Sequence, residues 1–136
     1  MLVDVVKLSA DTFRGLIRHS FVTEHEEVLG MVYGNWVDRE IRIWGCVNLV
    51  RNCKEKDRVE VDELQLSEAM HKAEELSESL GEPSFLVGWF HSHPNITVFP
   101  SHVDLNTQSS LQSLGGHFTG LIISNFSRDT SNVSTI

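Results

Sequence analysis

Apolar and polar positions change period several times along the chain, and each change marks an element. Leu2 to Leu8 is short and rich in Val and Leu, the pattern of a strand. Ser9 then offers an N-cap to a segment in which Phe13, Leu16, Ile17 and Phe21 recur at helical spacing. An acidic stretch, Thr23 to Glu27, leads into a β-type run from Val28 to Tyr33 that stops at Gly34-Asn35, and Ile41 to Val50 alternates as its hairpin partner. Asn52 to Asp57 reads as a charged loop, and Arg58 to Val61 as a short strand. Leu66, Ala69, Met70, Ala73, Leu76 and Leu80 repeat every three or four residues before Gly81 and Pro83. That spacing predicts an amphipathic helix with Glu68, Glu74, Glu75 and Glu78 on its solvated face. Phe85 to Phe90 is apolar on both faces, as a central strand is. Ser101, with Asp104 three places on, has the spacing of a capping box at a helix start, and Phe118 to Phe126 returns as a strand before a polar tail from Ser127 to Ile136.

This order is mixed α and β, without internal repeat or linker. At 136 residues it predicts one domain, 1–136, with a core of two packed layers. With 40% apolar and 22% charged residues, disorder is excluded as the main state. Nineteen acidic against 11 basic side chains give a net charge of −8, and the Lys and Arg residues are scattered, which argues against direct nucleic-acid binding. No apolar run approaches the roughly 20 residues of a membrane span, and the N-terminus lacks a basic, then apolar, leader pattern. The expected setting is cytoplasmic and nuclear. Cys46 and Cys53 are too few for a disulfide framework and too far apart for a C-x-x-C motif, so both are expected as free thiols.

The candidate chemistry lies in Trp89-Phe90-His91-Ser92-His93-Pro94 and in Ser101-His102-Val103-Asp104. Residues two apart on a strand share a face, so His91 and His93 can aim two imidazoles at one point. Asp104, in the first turn of the next helix, can bring a carboxylate there. Two nitrogens and one oxygen leave a fourth tetrahedral position open, the ligand set of catalytic rather than structural zinc. Either half alone is weak: His-x-His is common on surfaces and in cores, and Ser-x-x-Asp is a common helix start. The joint spacing on a strand, loop and helix carries the inference. It also requires a general base. His102 falls outside the ligand spacing and is expected to cover the helix N-terminus or face solvent. Trp89 shares the histidines' face and is expected either in the core or as a wall of the site. Ile96, Val98 and Phe99 form an apolar loop beside the ligands, exposed for docking or packed beneath the helix.

With these residues in place, the chain resembles the JAMM (MPN-plus) zinc metalloprotease family. Its signature is an upstream Glu, then His-Ser/Thr-His-Pro, then Ser seven residues after that Pro, and Asp three residues after the Ser; every element is present. Glu27-Val28-Leu29-Gly30 fits the family's context for the Glu better than Glu24 or Glu26 does, with Glu26 the alternative. Lys56 to Val61 and Val87 to Gln108 are similar to the BRISC-like subgroup in particular. The resemblance implies an α/β fold of the α+β type, an MPN or cytidine-deaminase-like mixed sheet flanked by helices. It implies one catalytic zinc held by His91, His93 and Asp104, with Glu27 as general base and Ser101 as oxyanion donor. It further implies isopeptide bonds of ubiquitin chains as substrate, through ubiquitin's lysine sixty-three in this subgroup, and a catalytically dead MPN partner subunit. A non-catalytic MPN scaffold and an isopeptidase for a ubiquitin-like modifier remain alternatives, the first disfavoured by the full ligand set. Relatives continue where Ser127 to Ile136 is polar, so the domain is expected to be incomplete at its C-terminal end and to leave a sheet edge exposed.

Overall fold

The computed structural model describes residues 3–21, 28–49, 63–94, 98–113, 115, 117–125 and 132–135. Six strands, β1 (Val5–Leu8), β2 (Leu29–Val37), β3 (Glu40–Leu49), β4 (Phe85–Pro94), β5 (Thr119–Asn125) and β6 (Asn132–Thr135), form one sheet in the order β1-β3-β2-β4-β5-β6. β1 runs parallel to β3, and β4 to β5; the other neighbours are antiparallel. The architecture is the expected mixed α+β sheet flanked by helices.

Side-chain alternation on β2 divides the core. Val28 and Val32 join Ile41, Ile43, Phe90, Leu121 and Ile123 on the face where Leu16 of α1 (Ala10–Ser20) packs. Leu29, Met31 and Tyr33 face the other way, against Ala69 and Ala73 of α2 (Glu63–Leu80) and Leu111 of α3 (His102–Gln112). On α2 the two alanines are fully buried while Met70 and Leu80 are exposed. The buried stripe is therefore narrower than the predicted one, because small residues let the helix axis sit close to the sheet and leave the flanking large side chains at the margin. The glutamates of the outer face are exposed as expected.

Three boundaries differ from the sequence reading. β2 does not stop at Gly34-Asn35 but runs on to Val37, and the chain reverses at Asp38, whose φ of 54° is a left-handed conformation that Asp tolerates. The pairing survives because β3 bulges: Tyr33 faces Gly45 and Gly34 faces Ile43, so Trp44 is the extra residue and its indole N–H donates to Ser84 Oγ at 3.1 Å. The tail is not wholly unpaired either. Asn132 to Thr135 forms β6 along β5, so β5 is an interior strand and β6 the last strand of the described sheet. The expected strand at Arg58 to Val61 and the loop at Asn52 to Asp57 lie outside the described residues.

A second bulge shapes the site. Val32 pairs with Gly88 but Tyr33 with Leu86, so Val87 is the extra residue on β4. Leu86 and Trp89 thereby share the α2 and α3 face, while Val87 and Phe90 share the other. Gly88 is required here, since a Cβ would collide with the Thr119 carbonyl oxygen of β5. At the end of α2, Gly81 adopts φ +70° and accepts the helix-ending turn the sequence assigned to it.

Candidate metal centre

Downstream of the bulge, His91 and His93 project from the face of Trp89, both buried. The helix that meets them is placed by its own cap. Ser101 Oγ accepts the Asp104 N–H at 3.1 Å while Asp104 Oδ2 accepts the Ser101 N–H at 2.8 Å, a reciprocal capping box. The carboxylate is thus pinned by the helix start and aimed inward, buried. His91 Nε2 lies 3.3 Å from Asp104 Oδ1 and His93 Nε2 lies 3.0 Å from Asp104 Oδ2. Ligand atoms of the three residues all fall within 4.8 Å of one another. Two ligands at zinc distances of roughly 2.1 Å in a tetrahedron are about 3.4 Å apart, so these separations suit a shared ion with little movement.

The donor chemistry fits as well. Neither ring nitrogen of the buried His91 has a hydrogen-bond partner, an expensive state for an imidazole in a protein interior unless a metal takes the lone pair. The Ser92 main chain lies close enough to favour the imidazolium, yet without hydrogen-bond alignment. Burial pushes the His91 imidazole down to about 4, with Asp104 opposing and His93 assisting, so it is neutral and metal-competent at pH 7. Burial pushes the Asp104 carboxyl up. The hydrogen bond from His93, the nearby His91 and the Ser101 N–H outweigh that and hold it below the ordinary carboxylate range. Both shifts have one sign for stability. A folded-state value below the unfolded one means that the unfolded chain takes up protons first. For His91 the stabilisation is complete above about pH 6.5 and is lost as pH falls through 4, a change of about 3 kcal/mol. The urea midpoint of the metal-free protein should therefore fall between pH 7 and 4, with a shallower slope in His91→Asn. A midpoint that does not move in this interval contradicts the buried neutral imidazole.

The structure brings together His91, His93, Asp104 and, at their rim, Ser101, whose side chain is exposed. Glu27, Glu26 and Glu24 lie outside the described residues. Val28, immediately after Glu27, is described and doubly tied to the residue between the histidines: its N–H donates to Ser92 Oγ at 2.7 Å and its carbonyl accepts the Ser92 N–H at 2.9 Å. His102 is exposed at the first position of α3, on the solvent side of the two readings. Trp89 takes both expected roles, fully buried in the core and stacked on His91 with ring centroids 4.6 Å apart. Ile96 is outside the described residues, Val98 is half-buried and Phe99 is 76% exposed. Cys46 is a free thiol pushed up by burial, and Cys53 is outside the described residues. Sequence reasoning missed Ser92 and Gln108. The signals were a hydroxyl on the far face of a buried strand, and an amide one helical turn beyond Asp104.

Residues 2–116 match the model of the family described as JAB1/Mov34/MPN/PAD-1 ubiquitin protease. The chain is 45% identical over 131 residues to "Lys-63-specific deubiquitinase BRCC36" of Xenopus tropicalis, covering 95% of this chain and 50% of that protein. It is 43% identical over 122 residues to the protein of the same name from Camponotus floridanus, covering 90% and 48%. The chain thus spans about half the length of the curated relatives it matches. Among solved structures, protein DSY2949 from Desulfitobacterium hafniense superposes with a TM-score of 0.70 at 18% identity, covering 96% of this chain and 82% of that one, a likeness of fold.

Proposed function

The chain belongs to the JAB1/Mov34/MPN/PAD-1 ubiquitin protease family, and from that premise we propose that it is a zinc-dependent isopeptidase. Its substrate is the bond between the C-terminal glycine of one ubiquitin and a lysine of the next, with chains linked through ubiquitin's lysine sixty-three preferred. The observation that carries the chemistry is the buried convergence of His91, His93 and Asp104, with a His91 ring whose nitrogens make no aligned hydrogen bond. The linkage rests on the name of the relatives.

The imidazole nitrogens of His91 and His93 and the Asp104 carboxylate would hold the ion. Zinc bound there would supply Lewis acidity, the chemistry that lowers the pKa of a water toward neutrality. Glu27 takes the proton of the attacking water and returns it to the departing lysine amine. The double hydrogen bond between Val28 and Ser92 supports this assignment, because it fixes the chain beside Glu27 against the strand of the histidines. Ser101 accepts the Asp104 N–H through a lone pair, so its hydroxyl proton is available to the oxyanion of the tetrahedral intermediate, a contact whose loss costs ~100-fold or more in rate. The exposed Phe99, two residues before Ser101, offers an apolar contact for the substrate. A catalytically inert MPN subunit is the expected partner.

The test is a panel of di-ubiquitins of every linkage, with a ubiquitin-like conjugate included, incubated with the zinc-loaded chain alone and with an MPN partner. Preferred cleavage of the lysine sixty-three linkage is expected. A zinc-loaded chain that leaves every ubiquitin linkage intact in both settings, or cleaves only the ubiquitin-like conjugate, contradicts the proposal.

A further inference from the structure

Metal-binding histidines are ordinarily oriented by a second hydrogen bond, from the ring nitrogen that does not face the metal to a carboxylate or carbonyl. Neither ring nitrogen of His91 makes an aligned hydrogen bond of this kind, although Asp104 Oδ1 lies 3.3 Å from Nε2 and the Ser92 main chain adjoins the ring. What lies behind its ring is Trp89, fully buried and stacked on it at 4.6 Å with the two planes 18° apart. The indole is itself held. Its Nε1–H donates to Gln108 Oε1 at 2.7 Å, and Gln108 Nε2 donates in turn to the Phe118 carbonyl at 2.9 Å. Gln108 is 4% exposed and stands one turn beyond Asp104 on the same face of α3. One helix face therefore supplies the carboxylate of the centre and, four residues on, the amide that locks the indole behind one of its imidazoles.

We propose that Gln108 is a positioning residue, which fixes the plane of the His91 ring by holding Trp89 against it and so sets the affinity and geometry of the metal centre. The inference rests on the reading that His91, His93 and Asp104 hold zinc. The stack adds to the contacts with Ser92 and Asp104 the restraint that an aligned hydrogen bond would give. A ring free to rotate about χ2 would present its lone pair off the line to the ion, while a ring backed by an immobile indole presents it in one direction.

Gln108→Met is nearly isosteric and removes both amide hydrogen bonds, releasing the indole. Gln108→Glu keeps an acceptor for Trp89 Nε1–H. Leu16→Ala, in the core on the opposite face of the sheet, is a control that loses stability without touching Trp89. Zinc affinity is measured by competition with a chromophoric chelator, and ligand geometry by the visible bands of the cobalt-substituted protein. Gln108→Met is expected to bind zinc about 10- to 100-fold more weakly and to change the cobalt bands. Leu16→Ala should retain both properties despite a lower melting temperature, and Gln108→Glu should lie closer to wild type. Wild-type affinity and cobalt bands in Gln108→Met overturn the positioning role and leave the zinc reading standing. If Gln108→Met does not fold, Trp89→Phe, which keeps a ring behind His91 but cannot bond Gln108, decides: wild-type affinity and bands in it overturn the role. A wild-type chain that binds neither metal overturns the zinc reading itself.

Discussion

Asp104→Ala should leave the protein folded but without zinc, and isopeptide cleavage should fall to background. The carboxylate approaches both imidazoles, at 3.3 Å and 3.0 Å, so its removal takes away one of the three proposed ligands and the only negative charge among them. Without the ion, the Lewis acidity that would make water acidic near neutrality is lost, and none of the described residues of the site supplies it. The same carboxylate also caps α3, and this second role can be separated. Asn at 104 retains an oxygen able to accept the Ser101 N–H, whereas Ala does not. Both variants should be inactive and metal-poor, yet only Asp104→Ala should lose about 1 kcal/mol of stability through the cap, read as a lower urea midpoint in the metal-free proteins. Equal activity in wild type and Asp104→Asn would remove Asp104 from the metal centre and leave it a cap alone.

Glu27→Gln should lower kcat by roughly 10²- to 10⁴-fold, the range of a lost general base, with one zinc per chain retained and KM little changed. The amide keeps the size of the side chain and its ability to accept a hydrogen bond, but it cannot carry a proton from water to the leaving amine. Glu26→Gln serves as the partner measurement, because the two acids are adjacent and the sequence context alone favours Glu27. Steady-state cleavage of di-ubiquitin with metal content checked on each protein reads both. A large loss in Glu26→Gln with Glu27→Gln near wild type would move the base by one residue.

Most of this arrangement was legible in the sequence because it is written in local patterns. Alternation on β2 assigns Val32 to one face and Met31 and Tyr33 to the other, and the His-x-His spacing on a strand fixes where the imidazoles point. The reciprocal cap of Ser101 and Asp104 was legible for the same reason, since it depends on residues three apart. What stayed hidden is non-local. β6 is Asn132, Val133, Ser134 and Thr135, without an apolar face to announce it; the hydrogen-bond ladder of β5 makes it a strand. The bulge at Val87 arises from mismatched register between β2 and β4, distant in sequence, and decides that Leu86 and Trp89 share a face; the bulge at Trp44, inside the β2–β3 hairpin, goes with the continuation of β2 past Gly34 and has no residue signature of its own. Gln108 and Ser92 are ordinary polar residues on their own segments. Only the packing of α3 on β4 and of β2 on β4 brings one to Trp89 and the other to Val28.

The most direct measurement is the zinc content of the purified chain after saturation with zinc and removal of excess, set beside that of Asp104→Ala treated identically. One equivalent in the wild type and none in the variant is the predicted result, followed by loss of bound zinc on chelation and its recovery on re-addition. A wild type that retains no zinc, or a variant that retains as much, would contradict a catalytic metal centre built from His91, His93 and Asp104.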